Sequence, residues 1–301
     1  MAILASEATR IIIQGITGRE AAAAARDSLD YGAKVVAGVT PGKGGSEVHG
    51  VPVFDTVGSA LAAHPADASV VSVPPAFAKD ASLEALEHGI KLLVILTERI
   101  PRRDVLEVVT RGRELGVRIV GPNCLGVISP DRTRVGMVGG RAINVRKAYR
   151  RGPVGVMSRS GGMTTEIANL LTLHGLGQST CVSLGGDTVV GSTFTDLLPL
   201  YEADPETKVV VIFGEPGGGA EEALARYVTT HAPRLPVVAF IAGRFADEMP
   251  GVRFGHAAAM VEGDRGSTRG KIAALREAGV LVAEQFAEIV DLVKQQLERL
   301  G

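Results

Sequence analysis

Short aliphatic runs recur along the chain, several followed by a glycine-bearing turn, with helical patterns between them. In the first half the runs fall at residues 10–14, 34–38, 69–73, 91–96 and 117–120. Helical periodicity separates them, beginning near Arg19 and spanning 78–87 and 102–115. A strand with one face in solvent alternates apolar and polar residues. A parallel strand covered by helices on both faces is apolar throughout. These runs are of the second kind, so the first half reads as a doubly wound α/β domain. The alternation restarts at residues 154–157 and continues through 180–184, 208–213 and 237–241. Helices are expected to begin near Gly161, Ser192, Gly219, Ser267 and Phe286. The second half is therefore a second α/β unit with an open, mainly parallel sheet.

A chain of 301 residues is too long for one typical domain and suits two. The expected division lies between a first domain, 1–145, and a second, 146–301, with the basic stretch 141–151 as a solvated linker. Aromatic residues make up 4% and tryptophan is absent, so Val, Ile, Leu and Ala must build the cores. A net charge of -1 gives no global attraction to nucleic acid or to an anionic membrane. No apolar run approaches transmembrane length, and the first residues show no secretory signal. Cys124 and Cys181 make no metal-like spacing and are expected to be free thiols in a cytoplasmic protein. No metal site is expected on the chain itself.

The first run leads into Gly15-Ile16-Thr17-Gly18-Arg19-Glu20-Ala21. A glycine turn opening a helix points free N–H groups and the positive end of the helix dipole at an anion. The dinucleotide spacing Gly-x-Gly-x-x-Gly is not kept, because Thr17 stands at a glycine position. The second run ends in Ala37-Gly38-Val39 without an acid to hold a ribose hydroxyl, and Thr40-Pro41-Gly42-Lys43-Gly44-Gly45 follows. A lysine on a glycine loop there suits a ribose phosphate, which NADP and coenzyme A both carry. Leu96-Thr97-Glu98 and Gly121-Pro122-Asn123-Cys124 follow later runs, at the carboxyl ends of strands where open α/β sheets bind ligands.

In the second half, Ser158-Arg159-Ser160-Gly161-Gly162-Met163-Thr164-Thr165 makes a second helix-start anion site. Ser160 lacks the Gly-x-Ser-x-Gly pattern of a hydrolase nucleophile, since Ser158 stands at the first glycine position. Gly255-His256-Ala257-Ala258-Ala259 leaves an imidazole between residues too small to shield it, and Gly214-Glu215 supplies a lone carboxylate on a glycine turn. A carboxylate beside an imidazole fixes the tautomer that leaves one nitrogen nucleophilic. Nucleophile, carboxylate and anion cradle together suit a phosphohistidine intermediate.

These motifs, with Gly185-Gly186-Asp187, occur in the order found in the α subunit of succinyl-CoA synthetase, which the chain resembles along its whole length. The resemblance implies a Rossmann-like coenzyme A domain followed by a flavodoxin-like ligase domain. It also implies a two-step ligase that forms an acyl-CoA from a carboxylic acid. An ATP-grasp β subunit activates the acid with ATP or GTP and magnesium, in an αβ or α2β2 assembly. The phosphoryl group passes to and from His256, supported by Glu215, and coenzyme A takes the acyl group. Implied coenzyme A contacts are Gly15, Thr17, Gly18, Arg19, Glu20, Val39, Pro41, Lys43, Val73, Pro74, Leu96, Thr97, Glu98 and Asn123. Ser160, Gly161, Gly162 and Thr165 fall in the implied substrate and phosphate site.

The chain departs from the succinate pattern. Thr165 replaces a tyrosine, and Gly161-Gly162-Met163 with Val252-Arg253-Phe254 resemble ATP-citrate lyase and citryl-CoA synthetase. Succinate, malate and citrate are therefore the expected acids, with a citryl-CoA or malyl-CoA synthetase subunit as the alternative. Two readings of other classes differ in what they need. A non-catalytic coenzyme A sensor has no use for His256 and Glu215. An NADP-dependent dehydrogenase needs a third glycine and a hydride-transfer constellation that the chain lacks.

Overall fold

The computed structural model describes residues 2–248 and 266–300. The first unit runs β1 (Arg10–Gln14), α1 (Arg19–Tyr31), β2 (Lys34–Val39), β3 (Glu47–Val48), β4 (Val51–Phe54), α2 (Val57–Ala63), β5 (Ala68–Val71), α3 (Pro75–Glu87), β6 (Leu92–Ile95), α4 (Arg102–Glu114) and β7 (Arg118–Val120). Its strands lie in the order β3-β4-β2-β1-β5-β6-β7. All neighbours pair in parallel except the short β3–β4 hairpin. Without β3 this is the Rossmann order, whose topological switch lies between β1 and β5.

The second unit runs β8 (Gly126–Ser129), β9 (Thr133–Gly136), α5 (Ala142–Ala148), β10 (Arg151–Ser158), α6 (Gly161–Leu173), β11 (Gln178–Ser183), α7 (Phe194–Ala203), β12 (Val209–Gly214), α8 (Ala220–His231), β13 (Val237–Ile241), α9 (Thr268–Glu277), β14 (Leu281–Ala283) and α10 (Glu288–Leu300). The sheet order is β14-β13-β12-β10-β11-β8-β9. The five parallel strands follow the flavodoxin order and switch between β10 and β12, while β8 and β9 extend the sheet antiparallel. The β8–β9 hairpin precedes residue 145 in sequence yet pairs into this second sheet.

The aliphatic runs fold as their composition requires. β5, β6, β11 and β12 are buried at every residue, so helices cover both faces. Between the helices of the first unit and the β8–β9 hairpin lies a buried arginine. Arg134 donates to Ser28 Oγ on α1 at 3.2 Å and to the Val138 carbonyl at 3.2 Å, and burial lowers its pKa. Tyr31 at the end of α1 accepts from the Asp131 N–H at 3.0 Å. The two units are thus joined by committed polar contacts as well as by apolar packing.

The basic stretch expected to be a solvated linker is instead helix α5 with its flanks. Ala142, Val145, Ala148 and Tyr149 are buried at helical spacing, and Arg146 donates to the Asp30 and Tyr31 carbonyls at 3.2 and 3.1 Å. The helix buries one stripe and leaves its cations outside, so charge density hid an amphipathic element.

Candidate active site

The first ligand-sized space opens at the switch point of the Rossmann unit. Gly15 ends β1 with φ of 81°, and a Cβ there would meet the Ser72 carbonyl oxygen at 2.3 Å. Only glycine allows the β1 and β5 loops to approach so closely. Gly18 then caps α1 without a side-chain bond, leaving the first N–H groups of the helix toward the opening.

Two adjoining cavities of about 730 Å³ each share Gly18, Val73 and Pro74. One contains Gly15, Thr17, Val39 and Pro41, and the other Arg19, Glu20, Leu96, Thr97, Glu98 and Asn123. The residues expected to hold coenzyme A therefore line this pair of spaces, except Lys43. Lys43 is exposed and lines neither. Its loop is nonetheless shaped: the Lys43 N–H donates to the Thr40 carbonyl at 3.1 Å, and Gly44 N–H donates to Asp55 Oδ1 at 2.9 Å.

Successive loops tie this site to the second unit. Thr97 Oγ1 donates to the Val73 carbonyl at 2.8 Å, and Asn123 N–H donates to the Thr97 carbonyl at 3.0 Å. Asn123 adopts φ of 55°, a left-handed conformation that asparagine tolerates. Its side-chain amide then donates to Asp187 Oδ1 at 3.0 Å. Cys124 beside it is buried; burial pushes its thiol up to about 12, and Sγ donates to the Ile95 carbonyl at 3.2 Å. A nucleophilic thiolate has no place there.

The second site lies where β10 and β12 diverge. Ser158 pairs with Phe213 at the ends of these strands, so Ser160 and Glu215 emerge side by side. Ser160 caps α6, accepting from the Met163 N–H at 3.4 Å. Gly161 and Gly162 are the first two residues of that helix and have no carbonyl a turn back to pair with. A Cβ on Gly161 would meet Leu125 Cγ at 2.3 Å, whereas nothing lies within 4 Å of one on Gly162. Thr165 sits one turn on, its hydroxyl 2.9 Å from the buried Tyr149 hydroxyl.

Glu215 is held from two sides. Arg159 Nε stands 3.7 Å from Glu215 Oε1, with both side chains nearly buried. The Glu215 N–H donates to Glu221 Oε1 at 3.3 Å. Glu221 in turn forms an ion pair with Lys271, both fully buried, and Lys271 Nζ donates to the Gly217 carbonyl at 2.6 Å. The carboxylate loop is thereby clamped between α6, α8 and α9. Sequence reading gives Arg159, Asp187, Glu221 and Lys271 no role, because each acts through a partner far away along the chain.

His256 and the Val252-Arg253-Phe254 stretch lie outside the described residues. A further cavity of about 390 Å³ beside α9 is lined by Arg244, Arg276 and Glu284, whose charges already pair with one another. Among the described residues no helix is long and apolar enough to cross a membrane.

Residues 6–99 match the CoA binding domain family, and residues 157–285 match the CoA-ligase family. The succinate–CoA ligase [ADP-forming] subunit alpha 1 of Archaeoglobus fulgidus is 49% identical over 298 residues, 99% of each chain. An ADP-forming sulfoacetate-CoA ligase subunit of Bilophila wadsworthia is 41% identical over 297 residues, 99% of this chain and 100% of that one. Among solved structures, an ATP citrate lyase of Methanosaeta concilii in complex with (3S)-citryl-CoA superposes with a TM-score of 0.92 at 26% identity. That comparison covers 99% of this chain and 51% of the lyase chain, so this chain spans about half of the lyase's length. With full-length relatives and both domain families in register with its two sheets, the chain belongs to the succinate–CoA ligase alpha-subunit family.

Proposed function

We propose that the chain is the alpha-type subunit of an NDP-forming carboxylic acid–CoA ligase working through a phosphohistidine at His256. The observation that supports this most is the Glu215 carboxylate, fixed 3.7 Å from Arg159 beside the α6 helix start at the β10/β12 switch. A phosphoryl group at Ser160, Gly161 and Gly162 meets free N–H groups and the helix dipole. Glu215 orients the imidazole and stabilises the cation formed as its nitrogen takes the phosphoryl group. The phosphoryl group leaves the nucleotide for His256 and passes from His256 to the acid carboxylate. The coenzyme A thiol then displaces phosphate from the acyl phosphate, and its proton goes to solvent.

Coenzyme A fits the first unit. Its diphosphate suits the Gly15-Ile16-Thr17-Gly18 turn and α1 start, and Lys43 suits the ribose phosphate at the mouth. The paired cavities lead through Leu96, Thr97, Glu98 and Asn123 toward the second unit, a path for the pantetheine arm. The nucleotide and its magnesium belong to a separate ATP-grasp β subunit, in αβ or α2β2 assembly, because the chain carries no Walker-type phosphate loop. A cytoplasmic placement is part of this reading, and the free buried thiols of Cys124 and Cys181 are compatible with a reducing compartment. The acid is a small di- or tricarboxylate or its sulfonate equivalent. Relatives named for succinate and sulfoacetate share a dianionic substrate.

Labelling with γ-labelled ATP or GTP in native extract, followed by capture of the chain, tests the reading. Wild type should take acid-labile label, and His256→Ala should take none. Glu215→Gln should lower the label while leaving coenzyme A binding intact. The acid that discharges the label with coenzyme A names the substrate. Equal labelling of wild type and His256→Ala excludes the phosphohistidine.

A further inference from the structure

The Glu215 loop lies between two arms of the chain. The first arm is the turn after β13. Ala242 N–H donates to the Gly214 carbonyl at 3.0 Å, and a Cβ on Gly243 would meet Pro216 Cγ at 2.6 Å, so this turn packs on the residues either side of Glu215. The second arm is the start of α9. Gly217 N–H donates to the Gly266 carbonyl at 2.8 Å, and Lys271 Nζ, in the first turn of the helix, donates to the Gly217 carbonyl at 2.6 Å. The sequence between the two arms carries His256.

The Asp247 side chain joins the arms. It sits in the short 3-10 turn Arg244–Glu248 that ends the first arm, and it reaches the second. Its Oδ1 accepts from the Thr268 N–H at 2.8 Å, and its Oδ2 accepts from the Thr268 hydroxyl at 2.7 Å and from the Arg269 N–H at 2.9 Å. Those N–H groups open α9 and have no partner within the helix, so a carboxylate there gains charge-assisted bonds and a favourable helix dipole. The helix already has a cap of its own, because Ser267 Oγ accepts from the Gly270 N–H at 3.0 Å. What Asp247 adds is the link, which sets the spacing of the two arms with the Glu215 loop between them.

We propose that Asp247 is a positioning residue for phosphoryl transfer, one that keeps Glu215 in place by tying the turn after β13 to the start of α9. The inference rests on the phosphohistidine reading above. Without the link the arms are free to shift, and a misplacement of about 1 Å at a reacting centre costs up to about a hundredfold in rate. The effect passes through Glu215, so the coenzyme A site on the other unit is left as it was.

Initial rates of labelling with γ-labelled ATP or GTP in native extract, measured per captured chain, test this beside calorimetric titration with coenzyme A. Asp247→Ala should label about tenfold more slowly than wild type and bind coenzyme A equally well. Added to Glu215→Gln, it should cost less than about twofold more, since a residue that acts through Glu215 then has nothing left to position. Thr268→Val deletes one of the three bonds and should slow labelling about threefold, whereas Thr268→Ser keeps the hydroxyl and should label like wild type. That pair gives the answer where Asp247→Ala does not fold. An unchanged rate in Asp247→Ala, losses that multiply with those of Glu215→Gln, or equal rates for Thr268→Val and Thr268→Ser would overturn the role of Asp247 alone. If wild type takes no acid-labile label, the phosphohistidine reading falls and takes the positioning role with it.

Discussion

The Asn123 side-chain amide donates to Asp187 Oδ1 at 3.0 Å, across the junction of the two sheets. Asn123 borders the first-unit cavity, and Asp187 follows β11 of the second unit. Two backbone bonds run beside this contact: Gly186 N–H donates to the Asn123 carbonyl at 3.1 Å, and Gly191 N–H donates to the Gly121 carbonyl at 2.8 Å. A Cβ on Gly185 would strike the Pro122 carbonyl oxygen at 2.2 Å, so the two glycine turns fit only without side chains. The loop that carries Asn123 is thus positioned by the unit that carries Glu215.

Asp187→Ala should therefore weaken coenzyme A binding without touching the ligand. Loss of one hydrogen bond to a charged, half-buried acceptor costs about 1–3 kcal/mol, or roughly five- to a hundredfold if it falls wholly on the bound geometry. Asp187→Asn keeps an acceptor and should recover part of the affinity. Titration of the three proteins with coenzyme A decides it. Unchanged affinity in Asp187→Ala removes the residue from the positioning of Asn123.

Lys43 stands outside both cavities on an exposed loop, and the ligand group proposed for it is the ribose phosphate of coenzyme A. Lys43→Ala should weaken coenzyme A by about tenfold and dephospho-coenzyme A much less, because a charge-assisted bond to phosphate is lost only in the first case. The comparison is best made at two salt concentrations, since an exposed ion pair weakens as salt rises. Equal losses for both ligands would sink the assignment.

The buried Lys271–Glu221 pair under the Glu215 loop makes a prediction about stability. Lys271→Met leaves a carboxylate fully buried without its cation, which costs about 3–5 kcal/mol. The double change Lys271→Met with Glu221→Leu removes both charges and should be less damaging than the single one. It should still loosen the Glu215 N–H, whose acceptor is Glu221 Oε1. Urea unfolding of wild type and the two variants would falsify the clamp if the single change cost under about 1 kcal/mol.

Much of this architecture was legible because parallel strands need residues of one kind. Residues 10–14 and 237–241 read as strands and fold as Arg10–Gln14 and Val237–Ile241. The β8–β9 hairpin escaped notice because Ser129, Thr133 and Arg134 interrupt its apolar pattern and yet are buried. Arg134 is soluble in the core only because α1 and the following loop supply acceptors, a fact of tertiary structure. β4 was missed because it has four residues, one of them Pro52. The glycine turns are readable as helix starts, since their chemistry is local, and α1 and α6 begin directly after Gly18 and Ser160. The clamp on Glu215 was not readable, because Lys271 and Glu221 stand 50 residues apart and nothing in either neighbourhood names the other.

Glu206 supplies a pH-dependent prediction at the seam between β9, β10 and α7. Its Oε1 accepts from Arg132 at 2.7 Å and from Arg151 at 2.8 Å. The Arg132 bond chiefly, with Arg151 adding to it, lowers its pKa from the ordinary 4.5 to about 2 against a smaller cost of burial. A carboxyl whose pKa is depressed in the folded state stabilises that state fully above its unfolded pKa, and the contribution disappears as pH falls through the folded value. Glu206→Gln should therefore lower the melting temperature by a few degrees at pH 7, where the wild-type carboxylate is fully charged. The gap between the two proteins should hold down to about pH 5, then narrow as the pH falls from 4.5 towards 2. Raising the salt concentration at pH 7 should shrink it as well, because Arg151 is partly exposed. Melting curves at matched ionic strength from pH 7 to pH 3 check this. A gap that stays constant across that range would assign the effect of the substitution to packing rather than to the charged pair.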